Sequence, residues 1–93
     1  MKILIIEDDQ TTREFVSKGL QEHGYAVDQA EDGKKGLMMA LSSDYQLIIL
    51  DRMLPYLDGM KVLSAIRATD NNIPVLILSA MDSIEDRVDG LQA

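Results

Sequence analysis

Three consecutive acids, Glu7-Asp8-Asp9, follow the apolar run Ile3-Leu4-Ile5-Ile6. A fourth acid, Asp51, follows Leu47-Ile48-Ile49-Leu50, and a hydroxyl, Ser79, follows Val75-Leu76-Ile77-Leu78. If these three runs are neighbouring strands, the carboxylates and the hydroxyl converge at one edge of a sheet. Like charges so placed raise one another's pKa unless a cation intervenes. A hard divalent cation is the simplest remedy. Mg²⁺ prefers oxygen ligands, needs one or two carboxylates, and keeps waters that a phosphate can replace. With no Cys and one His, His23, zinc and copper are poor candidates.

Each residue also has a plainer explanation. Acids after a strand are often helix N-caps, and Asp9, just ahead of a helical segment, is read as one. One cap does not account for Glu7 and Asp8, which at this point stand between a site and an ordinary surface. Asp51 ends an all-apolar run and is harder to dismiss. Ser79 alone says little, because small hydroxyls are common at strand ends. Asp58-Gly59 reads as a turn and cap. Met38, Met39, Met53 and Met60 read as packing and gap-filling residues. His23 reads as a surface residue interacting with a helix C-terminus, and Lys34-Lys35 as a solvated face.

The elements that must position these residues follow from the apolar pattern. The three runs above are continuous rather than alternating, as in strands of a parallel sheet buried on both faces. A weaker run, Tyr25-Ala26-Val27, leads to Ala30. Helical spacing predicts a helix over 11–23 with Phe15, Val16, Gly19 and Leu20 on one face and Gly24 as its stop. A second, over 34–41, gathers Leu37, Ala40 and Leu41. A third, over 59–67, carries Met60, Val62, Leu63 and Ile66. Ile84, Val88 and Leu91 open a fourth behind Asp82 or Ser83 as cap. Strand–helix alternation implies right-handed crossovers and a parallel sheet covered by helices on both faces. In such sheets, sites gather beyond the carboxyl ends of the strands.

Composition narrows the function classes. At 93 residues the chain is one domain at most. Sixteen acids against nine basic residues give a charge of −7, which argues against gripping a nucleic-acid backbone. Zero cysteines exclude a disulfide scaffold, a thiolate zinc site and a cysteine nucleophile. At 46% hydrophobic residues the chain should fold. No apolar run reaches the ~18 residues that span a bilayer. Met1-Lys2-Ile3-Leu4-Ile5-Ile6-Glu7 is not a signal peptide, so the expected compartment is the cytoplasm. The last predicted helix has barely begun at Ala93, and the chain reads as a piece of a longer protein.

The acid pair Glu7-Asp8, the segment Asp51-Arg52-Met53-Leu54-Pro55-Tyr56-Leu57-Asp58-Gly59 and the segment Pro74-Val75-Leu76-Ile77-Leu78-Ser79-Ala80 together resemble the receiver domain of two-component response regulators. The phrasing is most similar to the OmpR/PhoB transcription-factor type. The resemblance runs through the whole chain, in order. It implies a flavodoxin-like (CheY-like), doubly wound α/β fold with strand order 2-1-3-4, the fifth strand and helix of the family being absent from residues 1–93. It implies that Asp51 is the phosphoacceptor. Glu7 and Asp8 match the pair that holds Mg²⁺ (or Mn²⁺), Asp8 directly and Glu7 through water. The backbone carbonyl of Met53 matches a further ligand, and Ser79 the switch hydroxyl. The implied partner is a sensor histidine kinase. The implied output is transcriptional, through a C-terminal winged helix that this segment lacks. Such a domain is not an enzyme but assists its own phosphotransfer and dephosphorylation. Arg52, Tyr56 and Leu57, near the acceptor, are expected to tune phosphoryl lifetime and kinase choice.

The family's lysine and switch aromatic on strand five have no counterpart here, and Lys34, Lys35 and Lys61 sit in no matching motif. The fourth strand becomes an open, apolar edge. The isolated 93 residues are therefore expected to be marginally stable, self-associated, or folded only with a partner or a swapped copy. Two other classes remain as alternatives. One is a structural or engineered half-domain without signalling. The other is a small phosphatase or phosphotransferase with Asp8 or Asp51 as nucleophile.

Overall fold

The computed structural model describes residues 1–54, 58–69 and 72–78. Four strands and three helices alternate: β1 (Lys2–Ile6), α1 (Gln10–Glu22), β2 (Ala26–Ala30), α2 (Gly33–Ser42), β3 (Leu47–Asp51), α3 (Gly59–Arg67) and β4 (Val75–Leu78). The expected fourth helix, Ser79 and the stretch Pro55–Leu57 lie outside the described residues. All strand pairs are parallel, in the order β2-β1-β3-β4. This is the doubly wound architecture that the alternation predicted.

Successive side chains of a strand point to opposite faces, and the buried residues sort accordingly. Leu4, Ile6, Ile48 and Leu50 face Ala40 of α2 and Val62 and Ile66 of α3. Ile3, Ile5 and Ile49 face the other way, toward Val16 and Leu20 of α1. β1 lies at the centre, and its residues 3–6 are essentially inaccessible. Gly36 lets α2 approach β1: a Cβ there would stand 2.5 Å from the Ile6 side chain.

The helix ends obey local chemistry. Asp9, Asp32 and Asp58 cap α1, α2 and α3 through side-chain oxygens. Gly24, at φ 88°, closes α1. There Gly24 N–H donates to Gln21 and Tyr25 N–H to Leu20, the paired bonds of a left-handed C-terminal stop. His23 sits at that end with Nδ1 2.9 Å from the Gly19 carbonyl oxygen.

Three readings of faces are corrected. Phe15 is 79% exposed, and the face of α1 toward the sheet is Val16, Ser17 and Leu20. At 3.6 residues per turn those three fall on one side of the helix, and Phe15 falls nearly opposite Ser17. Leu41 is exposed as well, and Gly33, Gly36 and Ala40 face inward from α2. Of the four methionines, Met39 packs against the core, whereas Met38, Met53 and Met60 are exposed.

Candidate functional site

Pairing between β1 and β3 ends with Ile6 beside Leu50. The next residues, Glu7 and Asp51, therefore leave the carboxyl edge of the sheet side by side. Asp51 is the last residue of β3, and it also pairs with Leu78 of β4. Both acids are buried, Glu7 at 7% and Asp51 at 6% exposure, while Asp8 is open to solvent. One carboxylate oxygen from each of Glu7, Asp8 and Asp51 lies within 4.8 Å of the others.

Backbone contacts fix this cluster. Glu7 N–H donates to the Ala30 carbonyl at 3.1 Å, and Arg52 N–H to the Leu78 carbonyl at 2.8 Å. Met53 N–H donates to Asp51 Oδ1 at 3.0 Å, which fixes the rotation of that carboxylate. The segment after β3 then folds back, with Gly59 N–H donating to the Arg52 carbonyl at 3.1 Å. A Cβ on Gly59 would collide with the Asp51 carbonyl oxygen and stand 2.9 Å from the Arg52 Cα. Only a glycine allows α3 to begin this close to Asp51.

The electrostatics are unbalanced. Burial, and then the neighbouring carboxylates of Asp51 and Asp8, push Glu7 from 4.5 up to about 8. Its Oε2 is buried and has no hydrogen-bond partner among the described residues. Neither described ion pair, Lys2–Asp28 or Lys35–Glu31, involves these acids. An orphaned, inward-facing oxygen beside two further carboxylates is a donor set suited to a hard divalent cation.

The structure thus brings together Glu7, Asp8 and Asp51 and sets the Met53 N–H against Asp51. Asp9 is not part of the cluster: its Oδ2 accepts from Thr12 N at 2.8 Å and Thr12 Oγ1 at 2.6 Å. Ser79 lies outside the described residues. Two supporting roles were missed. Gly59 reads from the sequence as part of a turn and cap at the start of a helix, and the close backbone approach that its missing side chain allows is the added finding. Arg13 reaches the Glu7 carbonyl, and the sequence signal was a lone cation one turn behind an acid triplet.

A family model described as response regulator receiver domain matches residues 3–93. The chain is 53% identical to the transcriptional regulatory protein HprR of Escherichia coli K12, over 100% of this chain and 41% of that protein. It is 45% identical to the transcriptional regulatory protein CusR of the same strain, over 99% of this chain and 40% of that protein. The chain thus spans about two fifths of these relatives. Among solved structures, a Francisella response regulator receiver domain matches with a TM-score of 0.83 at 38% identity, over 98% of this chain and 75% of that one. The Thermotoga maritima response regulator TrrA, solved in complex with Mg²⁺ and BeF, matches with a TM-score of 0.82 at 34% identity, over 95% of this chain and 75% of that one.

Proposed function

The chain belongs to the response regulator receiver domain family, and from that premise we propose that Asp51 accepts a phosphoryl group from a sensor histidine kinase. In this reading Glu7, Asp8, Asp51 and the backbone carbonyl of Met53 hold Mg²⁺ (or Mn²⁺). The phosphorylated state drives a transcriptional output carried by another part of the protein, in the cytoplasm. The observation that carries the reading is the buried, unpartnered Oε2 of Glu7, grouped with the carboxylates of Asp8 and Asp51.

When bound, the ion supplies positive charge that offsets the repulsion between a carboxylate and an incoming phosphoryl group. The chain supplies the rest. Met53 N–H holds Asp51 Oδ1, so the second oxygen is left to attack phosphorus in line. The new O–P bond forms as the P–N bond of the kinase phosphohistidine breaks, and that electron pair leaves with the imidazole. The ladder to β4 and the close approach of Gly59 keep the Asp51 backbone from recoiling. The Ser79 hydroxyl is assigned the switch role, moving to hydrogen-bond the new dianionic group. Hydrolysis of the acyl phosphate resets the site. The chain acts once per phosphoryl group, as an acceptor and not as a turnover catalyst, and this acidic segment makes no nucleic-acid contact.

The test is phosphorylation by a small acyl-phosphate donor with Mg²⁺, read by intact mass. One alkali-labile phosphate per chain is expected, lost in Asp51→Asn and in chelator. Sustained hydrolysis of a phosphate ester would instead support a phosphatase. A folded chain with no response to Mg²⁺ would support a purely structural role.

We also propose that residues 1–93 taken alone are marginally stable or self-associated, including by strand or domain exchange. Among the described residues β4 pairs on one side only, with Val75, Leu76 and Ile77 half-buried. Sedimentation showing a cooperative, monodisperse monomer would overturn this.

A further inference from the structure

Glu7, Asp8 and Asp9 form a connection without regular structure between β1 and α1. A metal site on so short a link is only as rigid as whatever holds the link. Asp9 is occupied by its cap, and Glu7 N–H by Ala30. The Asp9 carbonyl accepts from Arg13 N–H, and the Glu7 and Asp8 carbonyls are held by the side chain of the same residue. Arg13 Nη1 donates to the Glu7 carbonyl at 2.9 Å and lies 3.5 Å from the Asp8 carbonyl. Its Nε donates to Gln29 Oε1 at 3.1 Å. Gln29 stands on β2 opposite Ile5. One guanidinium therefore ties α1, the acidic link and β2 together.

Its hydrogen-bond partners are neutral oxygens. Arg13 forms no ion pair with Glu7, Asp8 or Asp51 among the described residues, so it organises the link without occupying the carboxylates. We propose that Arg13, braced by Gln29, is a positioning residue for the cation: by holding the Glu7 and Asp8 carbonyls it fixes the directions in which the two carboxylates leave the chain. The rigid guanidinium fork suits this work, because it presents several donors in one plane. A lysine ammonium is a single point charge on a flexible stem.

This inference rests on the Mg²⁺ reading above, and it makes a prediction of sign. A positive charge that merely stood nearby would repel the ion, and its removal would tighten binding. A positioning residue does the opposite. The experiment is a Mg²⁺ titration of the full protein, followed by the amide signals of Asp8 and Asp51, with thermal stability recorded alongside. Arg13→Ala should weaken Mg²⁺ binding by about 10-fold, the scale at which supporting partners act on metal ligands. Arg13→Lys should recover only part. Gln29→Ala, which leaves the charge in place, should weaken binding in the same direction by a smaller factor. Unchanged or tighter binding by folded Arg13→Ala overturns the inference. If Arg13→Ala does not fold, unchanged affinity in Gln29→Ala overturns it instead. A wild-type protein silent to Mg²⁺ defeats the metal reading itself, a result distinct from a binding wild type matched by its variants.

Discussion

Two groups of carboxylate chemistry share this sheet, and they are solved in opposite ways. Near the amino ends of the strands, Asp28 accepts from Tyr45 Oη at 2.7 Å and pairs with Lys2 at 3.5 Å. The Lys2 ammonium also lies 5.0 Å from the centre of the Tyr45 ring. One acid meets one donor and one cation. At the carboxyl ends, Glu7, Asp8 and Asp51 meet, and among the described residues they form no ion pair and one buried oxygen has no partner. Burial acts on both groups. It raises the Tyr45 phenol to about 12, with Asp28 assisting, and it raises Glu7 to about 8. The first shift accompanies a satisfied hydrogen bond. The second comes from burial first and then from the crowding of Asp51 and Asp8, so that a proton on Glu7 and not a protein cation offsets the repulsion. The first carboxylate is closed by the structure around it; the second group is left open in the way that the proposed cation would require.

The largest expected effect breaks the comparison at its open end. The folded Glu7 binds its proton more tightly than the unfolded chain does. Its contribution to stability is therefore complete below pH 4.5 and is lost as pH rises through about 8. In metal-free buffer the loss has a ceiling of about 4–5 kcal/mol across that window. Mg²⁺ should reduce it, by binding the folded deprotonated site. Glu7→Gln should remove most of the pH dependence and the Mg²⁺ response together. Urea midpoints at several pH values, with and without Mg²⁺, check both statements. A stability flat from pH 5 to 9 without metal would mean that Glu7 is already compensated.

The next effect breaks the closed end. Tyr45 is buried in the core facing α2 and α3, and Tyr45→Phe removes one donor from Asp28. A loss of about 1–2 kcal/mol is expected. Because Lys2 remains beside Asp28, the loss should not reach that of a stranded buried charge. Mg²⁺ affinity should be unchanged, which sharpens the contrast with Glu7→Gln. Above pH 10 the wild-type advantage over Tyr45→Phe should shrink, since the hydrogen-bonded phenol loses its contribution as pH rises through about 12.

How far the sequence foretold these two ends differs for physical reasons. Strands β1, β3 and β4 were legible because burial on both faces demands unbroken apolar runs. Glu7, Asp8 and Asp51 were legible because each directly follows such a run, and parallel strands bring their carboxyl ends together. The closed group was not legible. Asp28 and Tyr45 are 17 residues apart and meet only once β2 and the start of β3 are set beside β1. Arg13 was missed for the same reason: its partners lie across a chain reversal. Phe15 is apolar yet exposed, so on α1 apolar character does not report burial. The inward face of α1 is centred on a serine, which no hydrophobic pattern reports.

That serine carries the smallest effect and the last test of the contrast. Ser17 is 2% exposed, and its Oγ has no hydrogen-bond partner among the described residues. It is the second described side chain with a buried, unpartnered oxygen, beside Glu7. The two differ in what surrounds them. Glu7 Oε2 faces two further carboxylates, whereas Ser17 sits between Val16 and Leu20 on the face of α1 that packs on the sheet. No cation can be drawn to a neutral hydroxyl in apolar company, so an open oxygen there serves no ligand. Ser17→Ala removes a desolvated hydroxyl and improves helix propensity, and it should be neutral or stabilising by up to ~1 kcal/mol. Mg²⁺ affinity and the pH profile should not move. A destabilised Ser17→Ala, or one with altered Mg²⁺ binding, would place Ser17 with the oxygens proposed to hold the cation and end the proposed distinction between an orphan kept for a ligand and one merely tolerated.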